Sequence, residues 1–153
     1  MKIKNTIRVI LADDHDLIRR GIRRILEKAS NILIIGEAST GAGALRLVQE
    51  LKPDVLVLDI EMPDMQGLRV ARELRIKNVP VSIVILSACD EDQFIKETLQ
   101  VGVDGYLDKS EPPAKIREVI YQVSEKHSIA IASMLIVLLP KIGWALYQTF
   151  SAT

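Results

Sequence analysis

Cysteine is almost absent from this chain. Cys89 is the only one among 153 residues, so no intrachain disulfide can close a loop. The opening Met1-Lys2-Ile3-Lys4-Asn5 lacks the apolar run of a secretory leader, and both features point to the cytoplasm. An excess of one charge is missing as well. Lys plus Arg and Asp plus Glu number 20 each, so nothing electrostatic argues for nucleic-acid binding by the chain as a whole. No internal repeat and no low-complexity linker is present. What remains is 48% hydrophobic and 26% charged, enough for a packed core and too apolar for global disorder. The length suits one domain with some chain left over.

The most informative stretch is Val55-Leu56-Val57-Leu58-Asp59. A short, unbroken, mostly branched apolar run suits a strand buried on both faces of a parallel sheet. Asp59 then falls at its carboxyl end, where open α/β sheets place their ligands. Pro63 and Gly67 follow, so the chain turns and leaves the acid at the rim. Similar runs at residues 8–12, 32–37, 81–86 and 105–107 predict four further strands. Five helices are expected between and after them. Asp16 is read as the N-cap of the first, which carries Ile18, Ile22 and Ile25 on one side and Arg19, Arg20, Arg23 and Arg24 on a solvated side. Thr40 caps the second, and Val70, Ala71 and Leu74 stripe the third. Asp92 opens the fourth, which closes at Gly102, and Pro112-Pro113 starts the fifth, striped by Ile116, Val119, Ile120 and Val123.

Strands alternating with helices predict an α/β fold, a doubly wound five-stranded parallel sheet of flavodoxin-like order 2-1-3-4-5. The first and third strands are then neighbours at the switch point. Their ends carry Asp13, Asp14 and Asp59, and the fourth and fifth end in Ser87 and Lys109. Three converging carboxylates repel, which raises a pKa or draws in a cation. Oxygen ligands on a rigid rim favour Mg²⁺. Ser87 can donate to a phosphoryl oxygen, and Lys109 supplies a compact positive charge. Phosphoryl transfer needs mainly positioning and charge neutralisation, which this set offers. His15, beside the acids, is expected to be a solvated loop residue, and Cys89 a packing residue.

Taken together, these pieces resemble the receiver (CheY-like) domains of two-component response regulators, over roughly residues 6–124. The resemblance is carried by Asp13-Asp14, Asp59 with Met62-Pro63 and Gly67, Ser87-Ala88, and Gly105-Tyr106-Leu107-Asp108-Lys109. The wording of residues 17–22 and 101–107 is similar to the LuxR/NarL-type transcriptional branch. The resemblance implies that Asp59 accepts a phosphoryl group from a phosphohistidine of a sensor histidine kinase. It implies Mg²⁺ held by Asp14 and Asp59, by Asp13 through water, and by the Glu61 backbone carbonyl. It also implies that Ser87 moves toward the phosphoryl group, that Tyr106 follows inward, and that Lys109 pairs with the phosphoryl oxygens. The surface of the fourth and fifth helices would change and support a homodimer. One departure stands out: Ser110 follows the lysine where many receivers have proline. A cis bond without proline is costly, so a trans bond or a shifted loop is expected there.

Beyond a receiver domain at 1–126, the composition breaks. Residues 128–153 hold one charged residue, Lys141, no acid, and Trp144, Tyr147 and Phe150. This apolar, helical tail at 127–153 is neither long nor basic enough for a helix-turn-helix domain, so direct DNA binding is not expected. Three readings stay open for it. It can be a dimerisation helix or a hairpin broken at Pro140. It can be a membrane-associated stretch, disfavoured by a central lysine costing about 2.5–3.5 kcal/mol. Or it can replace a lost output domain of a LuxR-type transcription factor. For the whole chain, the expected role is a signalling phosphoacceptor, not an enzyme apart from its own phosphorylation and dephosphorylation. A receiver-like interaction module that is never phosphorylated is the binding alternative. A metal-dependent phosphatase is the enzymatic one, and it lacks an evident second nucleophile.

Overall fold

In the computed structural model, residues 6–88, 92–112 and 114–125 are described. Cys89, His127 and the whole apolar tail lie outside them, and with them the readings made of those residues. Five strands and five helices alternate: β1 (Ile7–Ala12), α1 (Asp16–Glu27), β2 (Ile32–Ala38), α2 (Gly41–Leu51), β3 (Val55–Asp59), α3 (Gly67–Ile76), β4 (Ser82–Ser87), α4 (Asp92–Val101), β5 (Gly105–Asp108) and α5 (Lys115–Glu125). The sheet is parallel in the order β2-β1-β3-β4-β5, as its strand pattern predicts.

Side chains alternate across each strand, and the two faces build two cores. Ile10, Leu56, Leu58, Ile83, Ile85 and Tyr106 pack toward α2, α3 and α4. Val9, Leu11, Val55, Val57, Val84, Leu86 and Leu107 pack with Ile22 and Leu26 of α1 and with Ile116, Val119, Ile120 and Val123 of α5. β3 is buried at every position, which is why its sequence shows no polar alternation. Register aligns the carboxyl ends: Ala12 pairs with Leu58, Asp59 with Leu86, and Ser87 with Asp108. Residues just beyond those pairs therefore meet along one edge.

Three local expectations need correction. Asp16 is the first residue of α1 and not its cap; the cap position is His15, whose amide donates to Asp13 Oδ1 at 2.8 Å. That bond turns the chain one residue earlier than the sequence suggests. α5 starts at Lys115, whose amide donates to the Pro112 carbonyl at 2.9 Å, so Pro112 belongs to the turn before the helix. The arginine face of α1 is not uniformly solvated. The Arg19 side chain is 17% exposed and is drawn toward β2 and the β1–α1 turn by Glu37 and the Asp13 carbonyl. Arg23 pairs with Glu37 and Glu27. The opposite, apolar side buries Ile22 and Leu26 and leaves Ile18 37% exposed.

Other signals are met as read. Thr40 accepts from the Gly43 amide at 3.0 Å, and Gly102 follows α4 with φ +87°, a left-handed conformation that favours glycine. No cis peptide occurs among the described residues, so the Lys109–Ser110 bond is trans. No helix among the described residues is long and apolar enough to cross a membrane.

A partly buried clamp ties α3 to the β4–β5 side of the sheet. Arg75 donates to the Gly102 carbonyl at 2.8 Å, the Val81 carbonyl at 2.8 Å and Asp104 Oδ2 at 2.6 Å. Asp104 Oδ2 also accepts from the Ile83 amide at 2.7 Å. Removing the carboxylate leaves a partly buried guanidinium and a buried amide without that partner. Asp104→Ala should therefore lower unfolding free energy by about 3 kcal/mol in urea titrations, with an unchanged slope. A loss under about 1 kcal/mol would show that water replaces the carboxylate at little cost.

Candidate functional site

The site lies where β1, β3, β4 and β5 end together. Asp59 is the last residue of β3, 1% exposed, and its position in the alternation puts it on the α1/α5 face. Asp13 follows β1, is 2% exposed, and is held by its amide donating to the Ala38 carbonyl at 3.0 Å. Asp14 is the exposed member of the pair. Lys109 follows β5, and its amide donates to the Ser87 carbonyl at 2.8 Å. From there its Nζ reaches Asp59 Oδ1 at 3.0 Å and Asp13 Oδ2 at 3.4 Å. The trans bond at Ser110 does not hold the ammonium away from the acids. The Glu61 amide donates to Asp59 Oδ1 at 3.3 Å.

Ser87 ends β4, fully buried, on the opposite, α3/α4-facing side in the alternation. Tyr106 lies on that same side in β5, 1% exposed, its ring edge-on to Phe94 at 6.4 Å. The inward position expected to follow a switch is thus the one Tyr106 already has.

His15 is the residue whose place the sequence did not reveal. Half exposed, it puts Nδ1 3.1 Å from Asp14 Oδ1, 3.2 Å from Asp13 Oδ1 and 3.8 Å from Asp59 Oδ2. Arg19 supports the same loop by donating to the Asp13 carbonyl at 2.6 Å. Asp64 fixes the far rim, accepting from the Gly41 and Ala42 amides at 2.8 and 3.0 Å. Those amides, at the start of α2, hold the Asp64 carboxyl below its usual range.

Burial pushes the Asp59 carboxyl up to about 6 from its ordinary 3.8; the nearby Asp13 charge adds to this, while Lys109 and the Glu61 amide oppose it. Two buried oxygens, Asp13 Oδ2 and Asp59 Oδ2, lack a hydrogen-bond partner among the described residues. One ligand atom from each of Asp13, Asp14, His15 and Asp59 lies within 4.8 Å of the others. A buried oxygen without a donor, in a cluster of acids, is what a hard divalent cation such as Mg²⁺ would satisfy, so the residues fit that ion. Asp13, Asp14 and Asp59 could supply its oxygens.

This geometry defines a class: an open, doubly wound α/β domain with an acid cluster and a lysine at its topological switch point. The comparisons with known proteins narrow it. The model of the response regulator receiver domain matches residues 9–121, and the chain belongs to that family. It is 37% identical over 117 residues to the response regulator GacA of Pseudomonas aeruginosa, covering 76% of this chain and 55% of that protein. It is 34% identical over 116 residues to the nitrate/nitrite response regulator protein NarL of Escherichia coli, covering 76% and 54%. Among solved structures, the signal receiver domain of NarL from Mycobacterium tuberculosis superposes with a TM-score of 0.77 at 34% identity, over 80% of this chain and 99% of that one. The similarity is thus to LuxR/NarL-type regulators, and the chain spans about half the length of the curated relatives it matches.

Two predictions follow from the packing and charge of the site. A Cβ on Gly67 would overlap the Asp59 carbonyl oxygen and lie 2.9 Å from Ile60 Cα. Backbone cannot yield as a flexible side chain would. Gly67→Ala should cost about 2 kcal/mol or more in stability and displace Asp59, read as a lowered melting temperature and weakened Mg²⁺ binding. Wild-type values for both would remove the steric account. The second prediction concerns pH. Folded Asp59 keeps its proton up to about 6, whereas the ordinary carboxyl loses it near 3.8. Between these values the folded state binds more protons, so stability falls as pH rises across the window. Without metal, Asp59→Asn should stabilise the chain by on the order of 2 kcal/mol at neutral pH, and negligibly below the ordinary carboxyl pKa. Equal stabilisation at both pH values would contradict a raised Asp59 pKa.

Proposed function

We propose that the chain is a phosphoacceptor of two-component signalling: Asp59 takes a phosphoryl group from a histidine kinase in a Mg²⁺-dependent reaction. The observation that carries this reading is the split environment of one carboxylate. Asp59 Oδ1 faces the Lys109 ammonium at 3.0 Å, and Oδ2 is buried without a hydrogen-bond partner among the described residues, on the side of the other acids. In the transfer, an Asp59 oxygen forms a bond to phosphorus as the bond from phosphorus to the kinase imidazole nitrogen breaks. The imidazole leaves with the electron pair of that bond. Asp14, Asp59 and the Glu61 carbonyl, with Asp13 through water, would hold Mg²⁺, which when bound would supply positive charge against the phosphoryl oxygens. Lys109 stands close enough to turn from carboxylate to phosphoryl oxygen as charge moves there. Ser87, at the end of the neighbouring strand, would donate to another phosphoryl oxygen.

The consequence is a shift between conformations, passed through β4 and β5 to the face of α4 and α5. Tyr106 lies on that route through its contact with Phe94 of α4. Its buried position means that phosphorylation would hold the ring inward more than carry it there. The switched surface would serve a homodimer or an output partner, within a protein that acts in the cytoplasm and does not itself touch DNA through these residues. Residues 1–126 form the receiver unit in this reading, and the apolar stretch at 127–153 is separate from it.

Incubation of the full chain with a small-molecule phosphodonor should add one phosphoryl group by intact mass only when Mg²⁺ is present. Hydroxylamine should remove it, as expected of an acyl phosphate. Asp59→Asn should abolish the adduct, and Lys109→Ala should reduce its formation by at least about tenfold. Labelling that persists in Asp59→Asn would refute the assignment.

A further inference from the structure

The imidazole of His15 has no part in the reaction just described, yet it stands against every carboxylate of the pocket. We propose that His15 is a nitrogen ligand to the pocket cation, which adds to the preference of this site for Mn²⁺ and Zn²⁺ over Mg²⁺. The inference rests on the reading of the pocket as a divalent-cation site and adds the identity of the preferred ion.

Three observations point the same way. First, the spacing is that of neighbouring atoms in one coordination shell. Metal–ligand bonds of about 2.1 Å at right angles put adjacent ligand atoms about 3 Å apart. His15 Nδ1 lies 3.1 and 3.2 Å from oxygens of Asp14 and Asp13, and 3.8 Å from Asp59 Oδ2. Second, Asp59 Oδ2 is one of the two pocket oxygens without a hydrogen-bond partner among the described residues: its residue is 1% exposed, and Lys109 is engaged on Oδ1 instead. A hydrogen-bonding role for His15 alone leaves that oxygen unsatisfied, because 3.8 Å is too long for a hydrogen bond. A cation between the two groups meets both. Third, the backbone of His15 is held in place and its ring is accessible. Its residue sits at the cap of α1 with its amide tied to Asp13 Oδ1 at 2.8 Å, and its side chain is 53% exposed.

The chemical preference follows from the donor set. Mg²⁺ takes oxygen ligands and keeps its waters, so an imidazole gives it little. Mn²⁺ and especially Zn²⁺ accept imidazole nitrogen readily. Oxygen-only receiver pockets would share the general rise in affinity along the first-row metals. The part owed to His15 is the additional preference that disappears with the ring.

The test compares the full chain with its His15→Ala variant in metal-free buffer, titrating Mg²⁺, Mn²⁺ and Zn²⁺ separately. The wild type should bind Zn²⁺ and Mn²⁺ more tightly than Mg²⁺. His15→Ala should lose roughly tenfold in Zn²⁺ affinity, with a smaller loss for Mn²⁺ and Mg²⁺ held within about twofold. Pulsed electron paramagnetic resonance on the Mn²⁺-loaded wild type should show nitrogen modulation from a bound imidazole, absent from His15→Ala. An unchanged Zn²⁺ to Mg²⁺ ratio in the variant overturns the proposal, as does a modulation that survives in it, since that nitrogen would not be the His15 imidazole. Either result with Mg²⁺ binding intact leaves the phosphoacceptor reading standing. If the wild type binds none of the three ions, both fail.

Discussion

The structure is organised around a crowd of like charges that one ammonium only partly relieves. Asp13, Asp14 and Asp59 contribute ligand atoms within 4.8 Å of one another, and two of the three residues are almost fully buried. At an effective dielectric constant near 20, two unit charges about 5 Å apart repel by about 3 kcal/mol. Lys109 reaches two of the acids, at 3.0 and 3.4 Å, and so offsets part of that repulsion. A surplus of negative charge remains. The raised pKa of Asp59 answers part of that surplus, and a divalent cation in the pocket would answer more. The loops around it are correspondingly well held. Arg19 grips the Asp13 carbonyl, Asp64 grips the start of α2, and Gly67 lets the chain return against the Asp59 backbone.

Strand alternation divides the work between the two faces of the sheet. Asp59 belongs to the row that continues Val55 and Val57 beneath α1 and α5. Ser87 continues the row of Ile83 and Ile85, beside Tyr106, beneath α3 and α4. An event at Asp59 can therefore reach the α4 side only across the aligned ends of β3, β4 and β5. The Ile60 amide donates to the Leu86 carbonyl at 3.1 Å, and the Lys109 amide to the Ser87 carbonyl at 2.8 Å. Those two backbone bonds tie the three strand ends into one ladder, so a small shift at any of them is felt at the others.

How much of this could be read from residues alone depended on whether the signal was local. β3 was legible because a strand buried on both faces writes itself as an unbroken apolar run, and Asp59 was legible as the acid that ends it. Parallel alternation with short connections then left few topologies, so the meeting of Asp13, Asp59 and Lys109 could be anticipated. His15 could not. Its contact with Asp59 joins residues far apart in sequence, and it follows from a turn set by Asp13 Oδ1 accepting the His15 amide. The same bond explains why Asp16 was misplaced as a cap. Arg19 looked like one of four equivalent arginines on a helical face. Only the fold shows that Glu37 and the Asp13 carbonyl lie on its side of α1. Gly67 was visible as a turn residue, but the stronger reason for it, the nearness of the Asp59 carbonyl, is a packing fact.

The construction also sets how anything beyond the receiver unit would feel the site. No side chain of α5 enters the acid cluster. The helix instead seats Ile116, Val119, Ile120 and Val123 against the sheet. Gly105 lets it sit close, since a Cβ there would lie 3.0 Å from Val119 Cγ1 and 3.3 Å from Val123 Cγ1. Ser82 Oγ of β4 donates to the Val123 carbonyl at 3.1 Å, fastening the far end of the helix to the strand that ends at Ser87. α5 thus rests directly on β4 and β5, the strands that lead to Ser87 and Lys109. A rearrangement at those strand ends would tilt or loosen α5 before it disturbed β1 or β2. Because packed interfaces move between discrete arrangements and do not deform smoothly, a change at the ends of β4 and β5 would shift α5 from one seat to another and not bend it gradually.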